Sequence, residues 1–561
     1  MNFTLRPLPW DKQPMQAFLF WLVAGLMVVT KLVLVSDMSV TINYSPHDDS
    51  LYVERAFSLL SGQGFGPYDS RVLVKYPGIS IWLAGTRLVG LPFLLSVNLV
   101  YFAAAWYMLA ALLKCGTVRW VALLAFGFLL FNPITFGVEW TRVIREPLSM
   151  GLFVALTASM LHIAAGKATG QRTWIHLVLF STVFAFSLYL REDDRLLWGL
   201  LALFAVTMIW QARQRAGEWS GIQALPLIAV LLVPFGAALA YETVLRDFVE
   251  RHYGLPILHE YSEGEYPKFM AAVRSIDSVK DNRMVMVPQE TLRQLRVVVP
   301  RLAPVIDLLP PPGPGTHSCR LHGVCSEWAN GWMPFWIRDA AYRAGLTPSL
   351  SAAQAYFREA RLDIERACKD GNLKCTPRGG ALVPPMELRW TRAYVAEAWR
   401  LAGMVLRPAP NVIATHQLVY DVPVELGRKF QTITMTDRFD TELQTNFSHR
   451  AALPVFISPL SWARVQIVMP YQVGAFILLL AAIPVLAWRL WTVERRLVSP
   501  LAAVTLVVGL YFFVRFAILS YVAVFMGMFD PRMMFSTYTV AVLLALPFIY
   551  DSYAQGRKIN A

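Results

Sequence analysis

Charge is what this chain has least of. Asp, Glu, Lys and Arg account for 16% of its 561 residues and hydrophobic residues for 56%, against roughly 25% charged residues in an average soluble domain. That shortage excludes an ordinary soluble protein and points to a lipid-facing one. The formal net charge is +13, but no stacking-rich basic motif accompanies it, so nucleic acid is not an expected partner. The first apolar stretch lacks a small-x-small cleavage site before Asp37, which argues against a cleaved signal peptide and for a retained anchor. No internal repeat and no paired halves are visible.

What is present is a series of apolar stretches long enough to cross a ~30 Å hydrocarbon core, which takes about 20 helical residues. Ten spans are expected, at 16–36, 94–113, 120–137, 146–166, 173–190, 196–212, 222–243, 467–488, 499–525 and 533–550. Lys and Arg in short connections are retained in the cytoplasm. Arg6 and Lys12, Lys114 and Arg119, Lys167 and Arg172, Arg213 and Arg215, Arg489, Arg495 and Arg496, and Arg557 and Lys558 all fall on one side of the alternation. Both termini are therefore expected in the cytoplasm.

The expected organisation is a transmembrane region over 1–243 with a first outer loop at 37–93, an extracytoplasmic domain over 244–466, and a second transmembrane region over 467–561. The middle segment contains no convincing span and is long enough to bury its own core. It holds Cys319 with Cys325 and Cys368 with Cys375, while Cys115 falls on the cytoplasmic side. Close pairs in an oxidising compartment such as a periplasm are expected to be local disulfides. Zinc held by His317, Cys319, His322 and Cys325 is the rival reading, although the spacing matches no standard zinc template. Ser351 and Gln354 resemble a capping box that opens a helix through Ala353, Tyr356, Phe357, Ala360, Ile364 and Ala367, with Gly371 to end it.

Three ionic clusters stand at span ends on the outer side. His47, Asp48 and Asp49 precede an amphipathic helix whose apolar positions 52, 53, 56, 57, 59 and 60 share a face, expected to lie on the membrane. One aspartate at a helix start is explained by capping, but the second is not. Arg142, Arg145 and Glu146 open the fourth span, and Arg191, Glu192, Asp193, Asp194 and Arg195 join the fifth to the sixth. A solvated turn explains any one of these charges. Three clusters together are harder to explain that way, because charges at span ends are costly unless paired, hydrated or used. Carboxylates beside guanidinia suit a lipid phosphate next to an acid/base site. Arg515 lies inside the ninth stretch, where it must face a cavity, meet a carboxylate or snorkel. Trp140 and Tyr189 read as interfacial anchors.

Short motifs within these clusters resemble the GT-C superfamily of polyprenyl-phosphate-sugar-dependent glycosyltransferases, especially bacterial aminoarabinose transferases and protein O-mannosyltransferases. Asp48-Asp49 with Tyr52, Ala56 and Ser61-Gly62 is similar to the family's acidic pair and surface helix. Lys75-Tyr76-Pro77 is similar to its Lys-Pro-Pro stretch, with one proline replaced, and Asp530-Pro531-Arg532 to its Arg-Tyr opening of a late helix, with Met533 in the aromatic position. Arg145-Glu146-Pro147-Leu148 resembles a charged opening of the fourth span.

The resemblance covers the membrane half. It implies a helical polytopic, GT-C-like bundle in a bacterial inner membrane, moving sugar from a polyprenyl-phosphate donor to a glycan, lipid or protein acceptor. Asp48 is then the base or acceptor positioner, with Asp49 second. Lys75, Arg145 and Arg532 bind the donor phosphate, Arg191 and Arg195 are further ligands, and Tyr52, Glu146 and Arg515 are other candidates. A divalent metal bridging carboxylate and phosphate, as in some relatives, is left open, since no spacing establishes a ligand set. The long loop between spans seven and eight departs from relatives with a C-terminal soluble domain, so acceptor identity does not carry over. Two rivals stand beside this reading. A glycopolymer ligase or polymerase would give weight to His416 and His449, and a lipid or sugar transporter or flippase would place ionisable groups or broken helices near mid-membrane.

Overall fold

In a computed structural model the described residues are 14–169, 173–216, 221–277, 283–376, 386–406, 419–420, 422–436, 459–491, 499–526 and 531–560. Long apolar runs become helices because in lipid each backbone N–H and C=O must be satisfied within its own segment. The chain forms α1 (Pro14–Val35), the shorter α2 (Asp49–Leu60) and α3 (Gly78–Leu88), then α4 (Phe93–Lys114), α5 (Arg119–Leu130), α6 (Glu146–Thr169), α7 (Trp174–Ser187), α8 (Leu197–Ala216) and α9 (Gly221–Tyr253). The middle segment contributes α10 (Glu265–Ser275), α11 (Met333–Arg343), α12 (Leu350–Lys369), α13 (Thr391–Leu406) and α14 (Val424–Thr434). The chain continues with α15 (Pro459–Trp491), α16 (Pro500–Met526) and α17 (Phe535–Asn560). A short parallel pair, β1 (Ile42–Asn43) with β2 (Val419–Tyr420), ties the approach to α2 to the approach to α14.

The chain is an α-helical polytopic membrane protein. Among the described residues nine helices are long and apolar enough to cross a membrane: α1, α4, α5 with the turn after it, α6, α8 with the turn before it, α9, α15, α16 and α17. The helix at the expected span 173–190 is shorter than these nine. This helix, α7, has 14 residues, about 21 Å at 1.5 Å per residue, and it returns the chain from the Thr169 end of α6 to the Glu146 end, where Arg191 pairs with Glu146 at 2.9 Å. Beyond α7 the Tyr189 carbonyl accepts the Gly78 N–H at 3.0 Å. The central helix is α6, whose apolar stretch is 94% buried between α4, α7, α16 and α17. Small residues permit that closeness: a Cβ at Gly151 would lie 3.0 Å from Val100.

The surface helix is also corrected, because protein rather than lipid covers α2. Tyr52, Val53 and Ala56 pack with Ile79 and Leu83 of α3 and with Leu426 and Phe430 of α14. Leu51 joins Phe269 and Phe357 in the core of the middle segment. In α12 the expected face is buried, but the cap lies two residues earlier: the Ser349 hydroxyl accepts the Ala352 N–H at 3.2 Å. Gln354 instead accepts the Glu265 N–H at the start of α10, at 2.7 Å. Trp140 and Tyr189 are interior side chains, 1% and 0% exposed; the first donates to Asn98 and the second to Glu242. Helix α13 packs along α16, with the Tyr394 hydroxyl on the Ala517 carbonyl. Its Val405 and Leu406 line an apolar cavity of about 240 Å³ with Val508, Phe512 and Phe548.

Cys319–Cys325 and Cys368–Cys375 are disulfide-bonded and Cys115 is free. The zinc reading therefore falls, because both of its thiolates are spent on each other. Lys31, which the apolar pattern of α1 conceals, is buried, bonding Thr135 and lying 3.5 Å from the Phe136 ring centre.

The contact of Gly78 with Tyr189 sets the Lys75 segment against the turn that carries Arg191 and Glu192. A Cβ at Gly78 would lie 2.6 Å from the Tyr189 oxygen and 2.9 Å from Leu190 Cα, both backbone atoms. Gly78→Ala is expected to cost about 1–3 kcal/mol through this overpacking and to lower the melting temperature of the purified protein. Gly85→Ala in the same helix, with nothing within 4 Å of its Cβ, is expected to be neutral or stabilising. Equal melting temperatures for Gly78→Ala and wild type would contradict the packing.

Candidate functional site

Asp48 stands at the N-cap of α2, yet its side chain makes no capping bond. Its Oδ1 instead accepts from Lys75 Nζ and from the Tyr52 hydroxyl, each at 3.3 Å. Tyr52 lies one helical turn on, so the i,i+4 spacing delivers its hydroxyl to the carboxylate. Asp49 turns inward and is gripped by Arg142 through Nε at 3.1 Å and Nη2 at 2.5 Å. The acidic pair is thus divided: the Asp48 side chain is 31% exposed and that of Asp49 0%. Only Asp48 is open to a ligand.

A ring of ion pairs surrounds Asp48. Arg145, just before α6, pairs with Glu192 and lies 5.7 Å from the Tyr52 ring centre. Arg191 pairs with Glu146 and Asp193, each at 2.9 Å. Arg515 of α16 meets Asp193, Asp194 and the Tyr511 hydroxyl, which answers where a charge inside an apolar stretch goes. Arg195 donates to the Tyr76 hydroxyl at 3.1 Å and faces Glu242 at 3.9 Å. Arg532, in the turn before α17, adds its field to that of Lys75 and Arg145 at Asp48. The sequence-derived residues Asp48, Asp49, Tyr52, Lys75, Arg145, Glu146 and Arg191 are therefore joined in one network, with Arg515 linked through Asp193. Asp530, His416 and His449 lie outside the described residues.

Several supporting residues escaped the sequence reading. The buried guanidinium of Arg55 donates to the carbonyls of Lys75, Arg71 and Val72, which fixes the segment that presents Lys75. The Glu260 N–H donates to the Leu73 carbonyl at 2.9 Å, and its carboxylate takes Arg338 and the Tyr68 hydroxyl. This anchors His259, whose ring packs on Tyr76 at 5.0 Å. Periodicity carries no signal for either, since both act on partners distant in the chain.

Burial opposes the charge on Asp48, but Lys75, Arg145, Arg532 and Arg142 outweigh it and hold the carboxyl well below the usual range. At Asp49 burial wins over Arg142, and the carboxyl is pushed up. Burial likewise opposes charge on Glu192, and Arg145, Lys75 and His259 bring it down to about 2. Burial, helped by Lys75, lowers His47 and His259 to about 4. The side chains of the site offer a divalent cation few donors. Among the described residues no group of three or more His, Cys, Asp or Glu is placed to hold one, and the rim carboxylates already face guanidinium or ammonium groups.

No protein-family model and no curated protein sequence matches this chain. Among solved structures it is similar to ArnT from Cupriavidus metallidurans. The apo crystal structure is 15% identical over 95% of this chain and 77% of that one, with a TM-score of 0.28. The structure bound to undecaprenyl phosphate is 14% identical over 98% of this chain and 80% of that one, with a TM-score of 0.27. Likeness at this level carries no argument about the site, which rests on its own geometry.

The partly buried His47 and the buried His259 give a pH test. Their folded values lie near 4 and an unfolded histidine near 6.5, so between those limits the unfolded chain binds more protons. Stability is then present above about pH 6.5 and lost as pH falls toward 4, by up to about 1.4 kcal/mol per unit per histidine. Melting curves recorded from pH 7.5 to 4.5 should decline through this window, and less steeply for the His47→Gln, His259→Gln double variant. An unchanged slope in that variant would contradict the assignment.

Proposed function

We propose that this chain is a GT-C type glycosyltransferase of a bacterial inner membrane, moving a sugar from a polyprenyl-phosphate donor to a glycan, lipid or protein acceptor. In this reading the Asp48 face is periplasmic, 244–466 is an extracytoplasmic domain between two transmembrane regions, and both termini are cytoplasmic. The observation that carries it is Asp48: an accessible carboxylate at a helix start that does not cap, set instead among Lys75, Arg145 and Arg532. The pairing of Arg515 with Asp193 and Asp194 favours transfer over transport, because that intramembrane charge is already compensated.

The donor reaches the rim laterally, its tail remaining in the bilayer. Its phosphate competes with Asp48 for Lys75 and with Glu192 for Arg145. The acceptor hydroxyl attacks the anomeric carbon as the bond from that carbon to the phosphate oxygen breaks. Asp48 takes the hydroxyl proton, and the phosphate departs on its polyprenol. Lys75, Arg145 and Arg532 neutralise the charge that develops on the leaving group, with Arg191 and Arg195 as outer contributors. Before donor binding, the cations that depress Asp48 make it a poor base. Moving Lys75 onto the phosphate removes the first of them and restores basicity, so donor binding precedes proton transfer.

Asp48→Asn, reconstituted with defined polyprenyl-phosphate sugars, is expected to lose about 10²–10⁴-fold in transfer rate, the usual contribution of a general base, while still binding lipid phosphate. Asp49→Asn strands the half-buried Arg142 and should act on stability, costing about 3–5 kcal/mol. Full transfer activity in Asp48→Asn with normal folding would remove the assigned base.

A further inference from the structure

Beside the Asp48–Lys75 pair, two buried polar atoms lack protein hydrogen-bond partners, and they face each other: His259 Nε2 and Glu192 Oε1, 3.9 Å apart. No hydrogen bond forms at that separation, and a buried polar atom left unmatched is costly. Both residues are held in place. Glu192 is pinned by Arg145 through its other oxygen. His259, 6% exposed, is fixed by its packing on Tyr76 and by the Ser262 hydroxyl 3.0 Å from Nδ1. Glu260, anchored to Leu73 and Arg338, sets the backbone beside it. The Ser262 hydroxyl lies within reach of both Nδ1, at 3.0 Å, and the His259 carbonyl, at 3.3 Å, and the Glu192 carboxylate facing Nε2 at 3.9 Å favours the tautomer with the ring proton on Nε2. The gap then presents one neutral donor and one anionic acceptor.

That inventory narrows the ligand. An ammonium group cannot accept the Nε2–H, and a carboxylate or phosphate oxygen has no proton for Glu192 and is repelled by it. A hydroxyl does both, accepting from His259 and donating to Glu192. An oxygen about 2.8 Å from each atom bridges such a gap. We propose that His259 and Glu192 form the sugar-recognition subsite, seating a hydroxyl of a neutral sugar between Nε2 and Oε1. This rests on the glycosyl-transfer reading of Asp48 and deepens it by naming the sugar class, with His259 as a specificity-determining residue.

The test measures binding of decaprenyl phosphate and of decaprenyl-phosphate glucose and mannose to the full chain in nanodiscs. The wild type should bind at least one sugar-bearing probe about tenfold more tightly than bare decaprenyl phosphate. His259→Ala should erase that gain while leaving bare lipid phosphate within about twofold. His259→Gln, which keeps a side-chain N–H, should recover part of it. A merely structural histidine would weaken all three probes alike, and that result overturns the subsite, as does an unaltered sugar gain in His259→Ala. Wild-type binding of bare decaprenyl phosphate with no gain from either sugar overturns the subsite alone. Failure of the wild type to bind bare decaprenyl phosphate would overturn the glycosyl-transfer reading, and the subsite with it.

Discussion

A charge at the edge of a membrane must find its opposite, and the arrangement of this protein follows from how its rim charges do so. Removing one partner of a buried pair leaves the other uncompensated, at a cost of several kcal/mol. The pairs here are long-range ones. Asp49 with Arg142 ties α2 to the approach to α6, Arg145 with Glu192 ties that approach to the turn after α7, and Arg515 with Asp193 and Asp194 ties that turn to α16. Asp48 with Lys75 is the one pair in this set whose carboxylate is both accessible and held by a flexible ammonium. Hydrophobic packing builds the bundle, and the ion pairs set the register in which its ends meet.

That division separates scaffold from chemistry within a single dipeptide. Asp49 is closed, bidentate and structural, whereas Asp48 is open and takes Lys75 and Tyr52 on a single oxygen. A carboxylate kept ionised by neighbouring cations is a weak base until something draws those cations off. The natural competitor is a phosphate, which takes Lys and Arg in the same geometry with more negative charge. These ion pairs form a closed circuit of charges that an anionic lipid headgroup can open. The neutral histidine at 259, with its unmatched nitrogen facing Glu192, adds a place where an uncharged polar group can be recognised beside it.

Much of this was legible in the sequence, for a local reason. Apolar length marks the spans, and charges at span ends mark the rim, so Asp48, Lys75, Arg145 and Arg191 could be placed from short windows. The apolar run at 173–190 is longer than its helix, which ends at Ser187, because the Tyr189 carbonyl beyond it binds Gly78 from another part of the chain. The amphipathic face of α2 was read correctly as a face, but its cover proved to be α3 and α14, since amphipathicity does not distinguish lipid from protein. Trp140 and Tyr189 went the same way. Arg55, Glu260 and His259 were invisible because each acts on a partner across the chain, and partner choice is fixed by packing that no periodicity encodes.

The exchange of Lys75 from Asp48 to a lipid phosphate is the central claim. A structure of the protein in nanodiscs with polyprenyl phosphate bound would test it most directly. The account predicts that Lys75 Nζ lies within hydrogen-bond distance of a phosphate oxygen and has left Asp48, with Arg145 turned toward the same headgroup. A headgroup bound elsewhere, with Lys75 still on Asp48 at 3.3 Å, would contradict it.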